Sequence, residues 1–270
     1  IRFITVSTMG GDEDFGDTTA AKANCICFGG RVRAASMGGQ TTPSGSSWTD
    51  DVEMVIVASK GNSTDYATLT SNKKEGGGFS NRIRALYVGA GYNVMEYVTI
   101  SQGGNFVDFG DMSNGAEQCA AMSSSTRGVF TMNSFVPQYS TSNTIEFITM
   151  MTTGNSTDFG DMTSVRFTCG SGSNATRGLF YNRYVSPAVN NTIEFITMAT
   201  TGNAIDFGDA TTAAYGKTGS MTSATRFVTA AGHNGSAAFA NVDSVEIATT
   251  GNGVDFGDLS RSANMGGQCS

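Results

Sequence analysis

The chain has 270 residues, is 14% charged with a net charge of −7, and gives 35 positions to glycine but only three to proline. That length suits one large domain with a substantial core. The composition excludes a disordered tail, a collagen repeat and any apolar run near the ~18 residues of a membrane-spanning segment, and the acidic balance disfavours non-specific nucleic-acid binding.

Taken in chain order, the sequence repeats itself. A run apolar on both faces, residues 1–6, is followed by Asp14-Phe15-Gly16-Asp17. A degenerate copy, Asp65-Tyr66-Ala67-Thr68, comes next, and the tetrapeptide returns at Asp108, Asp158, Asp206 and Asp255. Successive first aspartates are 51, 43, 50, 48 and 49 residues apart. Four residues before each stands a glycine, followed by asparagine in five of the six copies (Asn62, Asn105, Asn155, Asn203, Asn252), the signal of a tight hairpin. Twelve residues before each motif aspartate stands an acid, Glu53, Glu96, Glu146, Glu194 or Asp243, except in the first copy, which has Arg2. Nineteen or twenty residues after it stands an arginine: Arg33, Arg84, Arg127, Arg177 or Arg226.

The run from Ile145 to Met150 predicts a strand. Its residues are β-branched and aromatic, and both faces carry apolar groups, as in a sheet packed between two layers. Each copy predicts four strands: the acid-bearing run, the strand through the tetrapeptide, a less regular one near residues 165–169, and the arginine run. The expected fold is all-β, one domain over residues 1–270, a six-bladed β-propeller with repeats starting near residues 1, 52, 95, 145, 193 and 242. The first copy lacks an arginine strand ahead of it, so residues 263–269 are expected to pair in one sheet with residues 1–17. The arginine strand of that blade would come from beyond either end or from another subunit.

Asp-Phe-Gly also occurs in kinases, but five copies without a catalytic loop or a lysine-bearing Gly-rich loop argue against phosphoryl transfer. Calcium binding is an alternative for the paired aspartates. The preferred reading is a repeated structural network in which Asp14, Asp65, Asp108, Asp158, Asp206 and Asp255 pair with Arg33, Arg84, Arg127, Arg177 and Arg226 inside the blades. His233, the single histidine, has no serine or cysteine motif to work with, so no catalytic residue, metal or cofactor is assigned. The five cysteines, Cys25, Cys27, Cys119, Cys169 and Cys269, match no zinc spacing and are expected as free thiols. Residues 43–51 and 181–190 are expected to be variable loops that form binding surfaces. Lys73-Lys74-Glu75 and Trp48 depart from the repeat without forming a catalytic set.

The repeat resembles kelch-type propellers, with Gly38-Gly39 in the place of the kelch double glycine. It also resembles kelch-like repeat proteins of tailed, often marine, bacteriophages, through residues 152–161 and 123–130. Ser156-Thr157-Asp158-Phe159-Gly160 is similar to the Asp-box hairpin of sialidase propellers, itself a structural turn. The phage resemblance implies a non-enzymatic virion structural protein, a tail- or capsid-associated appendage or adhesin. Its partners would be other virion proteins, further copies of itself and a host-surface glycan, without nucleic-acid binding or membrane insertion. A glycan-active or lectin-like secreted propeller is the alternative.

Overall fold

The computed structural model describes residues 1–8, 10–41, 47–132, 134–135, 140–166, 170–185, 188–214, 219–234 and 236–263. Every element among them is a strand. A short hairpin, β1 (Arg2–Phe3) and β2 (Glu13–Asp14), comes first. Blade A follows, a four-stranded antiparallel meander of β3 (Ile26–Gly29), β4 (Arg33–Met37), β5 (Thr49–Ile56) and β6 (Thr64–Lys73). Blade B repeats it with β7 (Gly77–Ser80), β8 (Arg84–Val88), β9 (Tyr92–Thr99) and β10 (Val107–Glu117). Blade C has β11 (Ala121–Ser123), β12 (Arg127–Thr131), β14 (Ser140–Thr149) and β15 (Thr157–Arg166), with β13 (Ser134–Phe135) tying β14 to β10. Blade D comprises β16 (Gly170–Ser173), β17 (Arg177–Val185), β18 (Ala188–Thr197) and β19 (Ile205–Ala214). Blade E comprises β20 (Gly219–Thr222), β21 (Arg226–His233), β22 (Ala238–Glu246) and β23 (Val254–Ala263).

This is a β-propeller arrangement, with five four-stranded blades where six were expected. The place of a sixth holds only the β1–β2 hairpin among the described residues. The irregular strand expected near residues 165–169 also moves. The tetrapeptide strand of blade C runs on to Arg166, and the next blade opens at Gly170. Ala263 closes β23 opposite Phe239; the rest of the tail expected to pair with residues 1–17 lies outside the described residues.

The first strands form the hub. Hydroxyls there step from blade to blade: Ser173 Oγ donates to Ser123 O and Ser123 Oγ to Ser80 O, both at 2.7 Å. Ser80 Oγ donates in turn to Gly29 O. Their approach is close enough to require glycine: a Cβ at Gly78 would sit 2.4 Å from Ile26 Cγ2, and one at Gly172 2.6 Å from Thr222 Cγ2. The core lies between blades, as two-sided strands demand. Phe79, Leu86, Met95 and Phe109 of blade B pack with Phe130, Met132, Ile148 and Met150 of blade C. Ile4 and Val6 of the hairpin pack likewise on Val228 and Phe256 of blade E.

The tetrapeptide makes the joints between blades. Gly154, Gly202 and Gly251, each at the tip of a hairpin, donate their N–H to Phe109, Phe159 and Phe207 of the preceding blade at 2.7–2.8 Å. Gly61 donates to Phe15 (2.8 Å), and Gly10 of the hairpin donates to Phe256 of blade E (3.2 Å). The asparagine after that glycine accepts from the N–H of the preceding copy's second aspartate: Asn62 from Asp17, Asn155 from Asp111, Asn203 from Asp161 and Asn252 from Asp209, each at 3.0 Å. The hairpin is therefore bonded to both the last blade and the first.

Candidate functional site

The carboxylates that carry structure are those of the acid column, not of the tetrapeptide. Glu53, Glu96, Glu146, Glu194 and Asp243 are all buried. Each accepts from the hydroxyl five residues after the motif aspartate of the preceding copy: Thr19, Thr70, Ser113, Thr163 and Thr211 respectively. Two receive a buried lysine as well, from one recurrent position: Lys22 on Glu53 and Lys73 on Glu96, both at 2.8 Å. Burial pushes the Glu53 carboxyl up, but Lys22, Thr19 and Ser63 outweigh it and hold it down at about 2. The hairpin has Arg2 in this column, and its carboxylate arrives from another strand. Asp12 pairs with Arg2 at 3.0 Å and accepts from Ser260 N at 2.7 Å. Asp12 stands two residues before its motif aspartate, where Ser63 and Ser156 stand in their own copies and donate to Glu53 and Glu146. Acid and hydrogen-bonding partner have exchanged strands while the joint is kept.

The expected Arg–Asp pairs do not form. Asp14, Asp65, Asp108, Asp158, Asp206 and Asp255 are all exposed on outer strands. The arginines lie two strands inward, with the acid strand in between. Each reaches forward to a backbone carbonyl: Arg33 to Ile100 (2.6 Å), Arg84 to Met150 (3.2 Å), Arg127 to Met198 (3.2 Å), Arg177 to Ile247 (3.0 Å) and Arg226 to Val6 (3.1 Å). An outer-strand aspartate stays hydrated and needs no cation, whereas a half-buried guanidinium needs acceptors. In blades B, C and D the guanidinium also lies over an aromatic ring: Tyr97 at 4.4 Å, Phe147 at 4.8 Å and Phe195 at 4.7 Å. Among the described residues, no three His, Cys, Asp or Glu side chains gather as a cation requires.

Antiparallel connectivity sends the β4–β5 type loops and the blade-to-blade crossovers to one end of the molecule, here the crossover end. The hairpin tips gather at the other. The tips repeat one another; the crossover end does not. There the Lys74 ammonium lies 5.2 Å from the ring of Trp48, which is 38% exposed, and pairs with Glu75 at 3.0 Å. Asn24 Nδ2 donates to the same Glu75 oxygen at 3.0 Å. Asn24, Glu75 and Gln118 all adopt left-handed backbone conformations, φ 53°, 58° and 55°, and link in series through Glu75 N to Asn24 O and Gln118 N to Glu75 O. Glu117 adds a second carboxylate, which burial and then the Glu75 charge raise against the opposing pull of Lys74. Tyr92, 57% exposed, opens β9 opposite Ala116.

Three residues named as departures from the repeat, Trp48, Lys74 and Glu75, thus meet in one cluster. Trp48 belongs to the β4–β5 loop of blade A, bridged to Gln40. Asn24 and Gln118 were missed, although their common offset, ten residues after a motif aspartate, is the same as that of Glu75. Of the expected binding loops, residues 42–46 and 186–187 lie outside the described residues. The remainder of 181–190 is strand: Tyr181 is buried opposite Ile193, and its hydroxyl donates to Asp243 at 3.1 Å. His233 ends β21 opposite Ala238 at the crossover end. Cys25 and Cys27 are half-buried and Cys119 is buried; Cys169 and Cys269 lie outside the described residues. No helix of the described residues is long and apolar enough to cross a membrane. No protein-family model matches this chain, and no curated protein matches it.

Proposed function

We propose that the protein is a non-enzymatic binding and structural module of a bacteriophage particle, carried at the particle surface or tail, that engages host-surface glycans through its crossover end. The observation that carries the reading is a break in the repeat among the described residues at that end. An exposed indole, a cation, two carboxylates and amide side chains come together there on one side of the ring. An aromatic face accepts the C–H face of a sugar, and carboxylates and amides accept and donate to its hydroxyls. The virion placement rests on the resemblance of the repeats to kelch-like phage proteins.

We also propose that the ring has six blades. The β1–β2 hairpin makes backbone joints to its neighbours like those of the outer hairpins of blades A, C, D and E, which supports its being the outer half of a sixth blade. Binding of the purified protein to a panel of bacterial surface glycans tests the function. Trp48→Ala is expected to abolish it with the fold intact. Glycan hydrolysis would favour the glycan-active alternative, and absence of the chain from purified particles would reject the virion role.

A further inference from the structure

A position near the opposite end suggests a second site. The residue after the acid column is Tyr97, Phe147 and Phe195 in blades B, C and D, and its ring fills the space beside the blade's arginine. In blade E that residue is Ser244, buried and far smaller. A hollow of ≈ 250 Å³ lies there, lined by Arg226, Ser244, Val245, Glu246, Thr250 and Val254 among others. Arg226 lies 5.9 Å from the motif ring of Phe256, as Arg33 lies 5.8 Å from that of Tyr66 in blade A, the other blade without a ring after the acid. Its Nε donates to Glu246 at 3.1 Å and one Nη1 to Val6 O at 3.1 Å. A guanidinium has five N–H donors, so others remain for an incoming group. Blade A also lacks the ring but fills the position with Met54, which packs into the core.

We propose that this hollow binds a single neutral, hydroxylated aromatic ring of the phenol class. The missing ring of blade E sets the size and planarity of the ligand. The face of Arg226 supplies the stacking partner that Arg84, Arg127 and Arg177 give to their own rings. The Glu246 carboxylate already compensates the Arg226 charge, so a neutral ligand fits better than an aryl carboxylate. Val254 supplies apolar wall, and Glu246, Ser244 and Thr250 can accept a phenolic proton. The site is separate from the glycan face and does not depend on that reading.

The test is fluorine NMR of 4-fluorophenol against the whole chain. Wild type and Ser244→Ala are expected to broaden and shift the ligand signal. Ser244→Phe, which restores the side chain of blades C and D, is expected to weaken binding by at least about tenfold and to raise the melting temperature. Should Ser244→Phe not fold, Ser244→Met, after Met54 of blade A, gives the same readout. Competition by N-acetyltyrosinamide identifies a polypeptide tyrosine as an acceptable source of the ring; failure to compete identifies a free phenol. No interaction with wild type at millimolar ligand, or binding unchanged in the filled variant, overturns the proposal.

Discussion

Blade B is held on its two faces by joints that solve one problem differently. Toward blade C, Gly110 lies against Gly154, Asn155 caps Asp111, and the buried Glu146 is satisfied by hydroxyls and a backbone N–H, from Ser113 and Ser156. Toward blade A, Ala67 replaces the motif glycine. There the partner turn takes φ of 66° at Gly103 and 89° at Gly104, where Gly154 has 153°. Tyr66 replaces the motif phenylalanine, and its hydroxyl shares the Ile100 carbonyl with Arg33. The buried Glu96 takes Lys73, whose place toward blade C is held by Ala116. A repeat can thus lose its signature and keep its joint, provided both sides of the joint change together.

The largest effect that separates the two faces concerns the buried charge. Lys73→Met leaves Glu96 without its cation, and urea denaturation should show a loss of about 3–5 kcal/mol. Adding Glu96→Gln should recover most of it. If the single variant costs no more than an average surface change, the lysine is not what holds this face.

Glu53, the other lysine-bound carboxylate, makes the same contrast visible in acid. Its folded value, about 2, lies below the ordinary 4.5, so its contribution is complete above pH 4.5 and is lost as pH falls toward 2. The difference corresponds to about 3 kcal/mol. Glu53→Gln should flatten the stability-against-pH curve over that window; an unchanged acid limb would reject the assignment.

The glycine contrast is smaller. A methyl at Gly110 would stand 2.4 Å from the Gly154 carbonyl oxygen on a backbone with φ of 142°. Gly110→Ala should therefore cost about 2 kcal/mol or more. Ala67→Gly, on the other face, should stay within about 1 kcal/mol. Equal costs at the two sites would mean that the shifted turn does not matter. Smallest of all, Asp108→Asn should change stability by less than about 0.5 kcal/mol, because the carboxylate is solvated; a clear drop in melting temperature would restore a structural role to the motif aspartates.

The repeat, the hairpins and the two-sided strands were legible because each leaves a side-chain signature at a fixed offset. The acid column was visible for the same reason: Glu146 recurs in register within an apolar run. The arginine partners were not legible, since a backbone carbonyl such as Met150 O leaves no mark in a sequence. Charge counting then favoured the aspartates, the acids most in evidence. The hub strands escaped because close packing selects Gly and Ser there, as at residues 170–173, and erases the alternation by which strands are recognised. The crossover cluster was visible only in part. Lys74 and Trp48 stood out as exceptions, but Asn24 and Gln118 look like ordinary loop residues until their left-handed backbones are lined up.

The hairpin's attachments have a kinetic consequence. Most joints in this molecule link residues roughly one repeat apart, so each can form as soon as the adjacent sheet exists. Those between Arg226 and Val6 and between Ser260 and Asp12 span 220 and 248 residues. Loop-closure entropy grows only slowly with length, but such contacts cannot form until the intervening sheets are in place. Refolding should therefore show an early phase of blade-by-blade zippering and a late one in which the hairpin docks. Arg226→Lys or Asp12→Asn would slow or weaken the late phase while leaving the early one unchanged.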